Sequence, residues 1–236
     1  MKKINYSSIV ILIGGIFLAS NFFCQDKREE TKMQNSEPEI IQLPAPASYS
    51  STSIEEALRF RRSVREYRDE PLALADISQI LWAAQGITEK DYGLRTAPSA
   101  GALYPLELYL VAANVEGIPQ GIYKYVPQKH TLVKTIEGDK RFEISNAALR
   151  QEPIEISPAL VVITAVVERT AVKYGRRAER YVHMEVGHTG QNIYLQAVSL
   201  GIGTVIIGAF TDDDVKKVLK LQWDEQPLAI MPLGKI

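Results

Sequence analysis

The sequence predicts an α+β domain in which helices and strands are mixed without the strict alternation of a doubly wound sheet. Segments with helical periodicity are interspersed with runs rich in β-branched residues. No GxGxxG motif follows a predicted strand and no Walker sequence occurs, so the usual dinucleotide and triphosphate signatures are absent. The 236 residues are 46% apolar and 23% charged, which is typical of a globular protein.

Charge, cysteine and histidine content exclude several classes of function. A formal net charge of −1 gives no support for nucleic-acid binding. The single cysteine, Cys24, excludes an intramolecular disulfide and a cysteine-based metal site. His183 and His188 are five residues apart, which places them about 140° apart on a helix. With His130 remote in sequence, no metal site is predicted.

The N-terminal residues 1–24 resemble a signal peptide or a membrane anchor. Lys2 and Lys3 precede an apolar run from Ile9 to Ala19, the order found in signal peptides. The run is short for a spanning helix, so cleavage, retention and lipidation at Cys24 remain alternatives. Lipidation is disfavoured because Phe23, not a small residue, precedes the cysteine. The positive-inside rule then predicts an exported or membrane-anchored domain, with a cytoplasmic domain as the alternative.

Residues 25–52 are predicted to be a linker. They are polar, contain three prolines and have too little apolar surface to offset the entropy of ordering. The apolar exception is Ile40–Leu43, which is a candidate for docking on the domain.

The folded domain, residues 53–236, is predicted to begin with a capped helix. Ser53 and Glu56 form a capping-box pattern at the start of a helix that reaches about Arg62. A second helix spans Leu74–Gln85, and Gly86 follows as its stop. A strand is predicted over Leu106–Ala112, and a hairpin is formed by Ile122–Val126 and Thr131–Ile136. A modest helix over Asp139–Leu149 and a buried strand over Ala159–Val167 follow.

The longest predicted helix runs from about Arg177 to Leu200. Apolar residues on more than one face predict a central, buried helix. Gly187 and Gly190 each cost a helix interior about 1 kcal/mol relative to alanine, so close approach of another backbone, such as a partner subunit's, is expected. Gly201 and Gly203 are predicted to end this helix. A strand is predicted over Thr204–Gly208, a short helix from Thr211 or Asp212 to Leu219, and a last strand over Leu228–Leu233.

Four short motifs are candidates for ligand chemistry. Arg61–Arg65 (RRSVR) offers three guanidiniums and a hydroxyl, which suit a phosphate, although a solvated helix end is the alternative. Thr96–Pro105 has small residues between two prolines and could accept a flat ligand against its backbone, or be an ordinary loop. Thr204–Ala209 is a predicted strand that ends in small residues, and the alternative is that it only forms part of the hydrophobic core. Met231–Ile236 places one cation, Lys235, next to a glycine.

Taken together, these motifs resemble the nitroreductase-like family of FMN enzymes, and in particular its SagB-type dehydrogenase (azoline oxidase) branch. The resemblance covers nearly all of Ile54–Lys235. It rests on six segments: RRSVR at 61–65, APSAGALYPLELY at 97–109, GIYKY at 121–125, KYG at 173–175, GHTGQNIYLQAVSLGIGT at 187–204 and PLGK at 232–235. The resemblance implies a mostly antiparallel central sheet flanked by helices, and an intertwined homodimer with FMN at the interface.

The resemblance also implies roles for particular residues. The implied phosphate and flavin-edge ligands are Arg61, Arg62, Ser63 and Arg65, and Lys235 is the implied closing residue on the phosphate. The segment Pro98, Ser99, Ala100, Gly101, Ala102 and Leu103 is the implied loop that one subunit places against the flavin of the other. Ile206, Ile207 and Gly208 are the implied segment whose amide faces the flavin N5. Many family members carry an asparagine where this chain has Ala102, so contacts of that side chain are not expected.

The implied activity is ping-pong hydride transfer through the flavin N5, with the protein supplying position and electrostatics. Lys173 and Tyr174 resemble the proton-transfer pair of the azoline-oxidising branch, and a surface pair is the alternative. The substrate would be a small molecule or a peptide heterocycle. Two alternatives remain open: a nitro or quinone reductase that takes electrons from NAD(P)H, and an exported flavin-binding or docking module without turnover.

Overall fold

The computed structural model describes residues 39–236 and contains nine strands and seven α-helices in that range. The strands are β1 (Ile40–Gln42), β2 (Ile87–Glu89), β3 (Leu94–Arg95), β4 (Leu106–Ala112), β5 (Gly121–Val126), β6 (Thr131–Glu137), β7 (Ala159–Val166), β8 (Ile202–Thr204) and β9 (Glu225–Lys235). The helices are α1 (Ile54–Phe60), α2 (Leu74–Gln85), α3 (Arg141–Ala147), α4 (Glu152–Ile156), α5 (Glu168–Tyr174), α6 (Ala178–Ser199) and α7 (Asp212–Leu219).

Seven strands form one sheet in the order β1-β6-β5-β4-β7-β9-β8, and neighbouring strands run antiparallel. β2 and β3 form a separate small hairpin. Two apolar cores cover the sheet, one centred on α2 and α6 and the other on α3, α4 and α7. The predicted α+β fold with a central antiparallel sheet flanked by helices is therefore confirmed.

The sheet begins upstream of Ser53, where the sequence placed the start of the domain. Ile40 pairs with Val133 at the sheet edge, and Leu43 is buried. The expectation that Ile40–Leu43 docks on the domain is confirmed. The predicted signal segment, residues 1–24, and the start of the linker lie outside the described residues. Within residues 39–236, no helix has the length and apolar character needed to cross a bilayer.

The predicted start of α1 is confirmed, whereas its predicted end is too late. The Ser53 hydroxyl accepts a hydrogen bond from the Glu56 amide at 3.1 Å, as a helix cap does. The helix ends at Phe60 because Arg61 already has an extended conformation (φ −52°, ψ 124°). α2 has the predicted bounds.

Three predicted elements are wrong in their bounds. The last strand, predicted over Leu228–Leu233, extends from Glu225 to Lys235. The helix predicted over Asp139–Leu149 ends at Ala147, because Leu149 and Arg150 both adopt left-handed conformations (φ 59° and 57°), and the chain then forms α4. The strand predicted over Thr204–Gly208 lies earlier, over Ile202–Thr204.

The two glycines predicted to end the long helix have different roles. Gly201 does so, with φ +62° just after α6. Gly203 belongs to β8, where a Cβ atom would lie 2.7 Å from Val64 and 2.5 Å from Ile236. Gly203 is thus required for close packing within the sheet.

α6 is the long helix that the sequence predicted, and in the single chain one of its faces is buried while the other is exposed. His183, Met184 and Gly187 lie on its exposed face. Gly190 lies on the buried face, where a Cβ atom would be 3.0 Å from the Ile206 side chain. This glycine therefore accommodates a side chain of its own chain, whereas a Cβ atom at Gly187 would meet no packing atom within 4 Å among residues 39–236.

Candidate functional site

The segment after α1 is held beside the ends of β8 and β9. The Val64 amide donates to the Thr204 carbonyl at 2.9 Å, and the Arg68 amide donates to the Lys235 carbonyl at 2.9 Å. At Gly234, a Cβ atom would lie 2.5 Å from the Tyr67 ring, so only glycine allows this approach. The fold thus brings the arginine motif and the Met231–Ile236 segment to one place.

Tyr194 connects the arginine motif to the Ile206–Gly208 segment, and the sequence did not single it out. Its hydroxyl lies 3.1 Å from the Ser63 hydroxyl and accepts a hydrogen bond from the Ile206 amide at 2.9 Å. The Arg61 guanidinium lies 5.1 Å from the centre of its ring. The available signal was spacing, because Tyr194 lies one turn after Gly190 on the buried face of α6.

The four predicted phosphate-binding cations differ in what they already bind. Within residues 39–236, neither Arg61 nor Arg65 has a carboxylate within 4 Å. Arg62 donates to the carbonyls of Arg59 and Arg61 at 2.9 and 2.8 Å, so it caps its own helix. The Lys235 ammonium lies 2.7 Å from the carboxylate of Asp76. Arg61, Arg65 and the Ser63 hydroxyl are therefore the groups best placed to receive an anion.

The three residues predicted to offer an amide to the ligand are not equivalent. The Ile206 amide donates to Tyr194, and the Ile207 amide donates to the Ile230 carbonyl at 2.8 Å. Gly208 is exposed, and in the described part of the chain its amide has no hydrogen-bond partner. Gly208 is therefore the residue of the three whose amide can face a ligand.

The loop Ser99–Leu103 has a strained backbone. Gly101 has φ +64°, and Ala102 and Tyr104 have φ +54° and +46°. For a residue other than glycine, a left-handed conformation costs about 1–3 kcal/mol and persists only where the surroundings impose it. The Ser99 hydroxyl provides part of that support by accepting a hydrogen bond from the Tyr104 amide at 2.8 Å.

Side chains from neighbouring elements fix the end of this loop. The Arg95 amide donates to the Tyr104 hydroxyl at 3.2 Å, and the Arg95 guanidinium lies 4.5 Å from the centre of the Tyr104 ring. Arg169 donates to the Tyr104 carbonyl at 3.3 Å and pairs with Glu107 at 2.5 Å. Burial lowers the pKa of Arg95, and the carboxylate of Glu107 opposes that shift.

Lys173 and Tyr174, the predicted proton-transfer pair, lie against the same loop. A Cβ atom at Gly101 would lie 3.0 Å from both the Lys173 ammonium and the Tyr174 hydroxyl. The Tyr174 ring packs edge-on against Tyr181, with ring centres 4.8 Å apart. The pair and the loop are therefore parts of one structural unit.

In the single chain, α6 separates the candidate site into two halves. Glu185 of α6 contacts the loop, and Tyr194 contacts the arginine motif. Nine residues of helix between them correspond to about 13 Å along the axis. The structure does not bring the loop and the arginine motif together within one chain. Cavities of about 350–390 Å³ beside Trp82 contain none of the predicted cofactor residues.

Comparison with known families and proteins gives a consistent result. The model of the nitroreductase family matches residues 58–235. A protein of Methanocaldococcus jannaschii with a provisional nitroreductase name is 47% identical over 195 residues, 83% of this chain and 96% of that protein. The Escherichia coli microcin B17-processing protein McbC is 28% identical over 172 residues, which is 70% of this chain and 63% of McbC.

Solved structures show the same similarity. A Ralstonia eutropha JMP134 protein with a provisional nitroreductase name has a TM-score of 0.74 and 28% identity, covering 83% of this chain and 89% of that one. A chain of the Escherichia coli McbBCD microcin synthetase complex has a TM-score of 0.65 and 24% identity, and the match covers 94% of this chain and 84% of that one. The second similarity is one of fold.

Proposed function

This chain belongs to the nitroreductase family, and from that premise we propose that it is an FMN-dependent oxidoreductase. The observation that carries the proposal is the cluster in which Tyr194 joins Ser63 to the Ile206 amide beneath the Arg61 guanidinium. Neither Arg61 nor the nearby Arg65 pairs with a carboxylate of the described residues. A phosphate would find there two cations and a hydroxyl, and a flat ring would find the exposed amide of Gly208.

In this proposal, Arg61, Ser63 and Arg65 hold the phosphate, because guanidinium groups match phosphate oxygens with bidentate hydrogen bonds. The Gly208 amide donates a hydrogen bond to the ring edge. When bound, the flavin supplies reversible hydride acceptance, and the protein fixes its position. The absence of a motif for an adenine-ribose half favours FMN over FAD.

We further propose that the working site is formed by two copies of the chain. The loop and the arginine motif lie about 13 Å apart along α6, too far for both to contact one isoalloxazine edge from the same chain. The exposed residues of α1 and α6 include Ile54, Leu58 and Met184, with exposed fractions of 56%, 53% and 52%. A second copy packed there would cover this apolar surface and supply the missing half.

The reaction favoured by the resemblance to the SagB-type branch is oxidation of a small molecule or a peptide heterocycle, with Lys173 and Tyr174 transferring the proton. The position of this pair at the end of α5, against Gly101 of the Ser99–Leu103 loop, supports that role. A second candidate is reduction of nitro compounds or quinones with electrons from NAD(P)H. It is favoured by the 47% identity to a relative that carries a nitroreductase name.

Binding of FMN tests the site directly. Purified protein should release FMN and not FAD on heating, as chromatography of the released flavin would show. Arg61→Ala and Ser63→Ala should each weaken FMN binding by about 1.5–3 kcal/mol, the cost of losing a charge-assisted hydrogen bond. Arg62→Ala is the matched control, because that guanidinium already binds its own helix, and its FMN affinity should stay within about threefold of the parent.

Two results would contradict the proposal. One is a protein that takes up no FMN on reconstitution. The other is an equal loss of affinity in Arg61→Ala and Arg62→Ala, which would mean that the motif acts only as a general positive charge. A flavin that binds but is bleached by no reductant would favour the non-catalytic docking module.

For location, we propose that residues 1–24 deliver or anchor the domain at the cell envelope, as the charge of Lys2 and Lys3 before the apolar run favours. Protease treatment of spheroplasts should then degrade the domain while a cytoplasmic marker survives. Protection until the membrane is lysed would place the domain in the cytoplasm.

A further inference from the structure

Glu185 is a buried carboxylate in the middle of α6 that the proposed chemistry does not use. Its residue is 3% exposed, and within residues 39–236 no cation lies within 4 Å of it. Buried carboxylates are rare unless another group compensates the loss of water. Burial raises the pKa of Glu185, while the Ala100 amide, the Ser99 hydroxyl, His188 and Arg95 lower it. The compensating groups nearest the carboxylate therefore belong to the Ser99–Leu103 loop.

The contact of Glu185 with the loop is direct. The Ala100 amide donates a hydrogen bond to Oε1 of Glu185 at 2.9 Å. The next residue, Gly101, is the one on which the Lys173 ammonium and the Tyr174 hydroxyl pack. One hydrogen bond thus connects α6 to the strained loop, and the loop in turn contacts the proton-transfer pair.

We propose that Glu185 is a positioning residue that fixes the Ser99–Leu103 loop and, through Gly101, the place of Lys173 and Tyr174. Its effect on turnover rests on the proposed function, whereas its effect on the loop does not. The energetic reason is the strain at Ala102 and Tyr104, whose left-handed conformations need external support. An apolar residue in place of Glu185 would leave the Ala100 amide without an acceptor, and the loop would relax.

Four variants separate this role from others. Glu185→Ala removes the acceptor, and Glu185→Gln keeps an oxygen that can accept from Ala100 while it removes the charge. Glu179→Gln removes a charge from the exposed first turn of the same helix and is the matched control. Glu185→Leu fills the space without an acceptor and replaces the alanine variant if that variant does not fold.

Amide hydrogen exchange of the flavin-free full chain tests the positioning role alone. In Glu185→Ala, the amides of residues 100–104 should exchange about 10–100-fold faster than in the parent, since a hydrogen bond to a charged group is lost. Glu185→Gln and Glu179→Gln should exchange within about threefold of the parent. Equal protection in Glu185→Ala, or Glu185→Leu in its place, would overturn the proposal.

Turnover of the FMN-loaded enzyme with an azoline compound as the reductant of the flavin and dioxygen as its oxidant then tests the consequence. Glu185→Ala should lose at least about tenfold in kcat with KM little changed, and Glu185→Gln should restore most of the loss with an unshifted pH profile. If Glu185→Gln loses as much as Glu185→Ala, the carboxylate acts through its charge or its proton, and the positioning role is wrong. If even the parent binds no flavin, the proposed function fails, while the exchange result still decides the role of Glu185 in the loop.

Discussion

The hydroxyl of Tyr194 allows a sharp test of how the candidate phosphate site is held together. Tyr194→Phe removes only that hydroxyl and keeps the ring beneath Arg61. The Ile206 amide, whose hydrogen bond to Tyr194 is partly buried, would lose its acceptor, which costs up to about 1–3 kcal/mol. Ser63 is exposed, so water replaces its lost partner at little cost. We therefore expect a loss of about 1–2 kcal/mol in the free energy of unfolding.

In a domain of about 200 residues, that loss corresponds to a fall in Tm of about 2–8 °C. FMN affinity should fall by about 3–10-fold, because Ser63 and the Ile206–Gly208 segment are no longer tied to one atom. Thermal melting and fluorescence titration at fixed protein concentration measure both effects. Tyr92→Phe is the control, since Tyr92 is 79% exposed and its hydroxyl has no partner in the described part of the chain. An unchanged Tm together with an unchanged FMN affinity would refute the reasoning.

Three further predictions concern other contacts. Asp76→Asn should release Lys235 toward the phosphate, raising FMN affinity a few-fold in titrations while costing under about 1 kcal/mol of stability; weaker FMN binding would contradict this. Gly101→Ala and Gly93→Ala, both at positive φ, should each lose about 1–2 kcal/mol in urea unfolding. Only Gly101→Ala should also lower turnover, because its Cβ would crowd and displace the Lys173 ammonium and the Tyr174 hydroxyl, and equal turnover in both variants would exclude that contact. Burial lowers the pKa of His130 below its usual 6.5, so the folded state favours the neutral ring and stability should fall as the pH drops below about 6.5. Urea unfolding at pH 7.5 and 5.5 should show this loss of stability in the parent and a smaller loss in His130→Gln. Equal losses in the two proteins would mean that His130 does not cause the pH dependence.

Local sequence patterns predicted most of the fold. Strong periodicity predicted the bounds of α2, and β7 follows from a continuous run rich in β-branched residues. Errors arose where tertiary contacts decided the outcome. Gly203 looked like a helix stop, yet its neighbours Val64 and Ile236 come from distant parts of the chain.

The candidate site was predicted only in part, again because contacts between distant parts of the chain decide what each residue binds. The motif residues were identifiable by type, since arginine and serine suit a phosphate. Their individual roles were not, because only the fold shows that Arg62 binds its own helix and Lys235 binds Asp76. Tyr194 and Glu185 were missed because a buried tyrosine or glutamate in a long helix carries no local signal of the segment that it will contact.

The placement of Glu185 and Tyr194 on one uninterrupted helix limits how this chain can tolerate insertions and deletions. A single residue inserted between them would turn one contact about 100° away from the other and shift it by about 1.5 Å. Four inserted residues would leave about 40° of rotation and about 6 Å of added length. The turn between β2 and β3, where Lys90, Asp91 and Tyr92 are exposed, has no such requirement. Length variation in a directed-evolution library should therefore survive in that turn and be lost from residues 185–194.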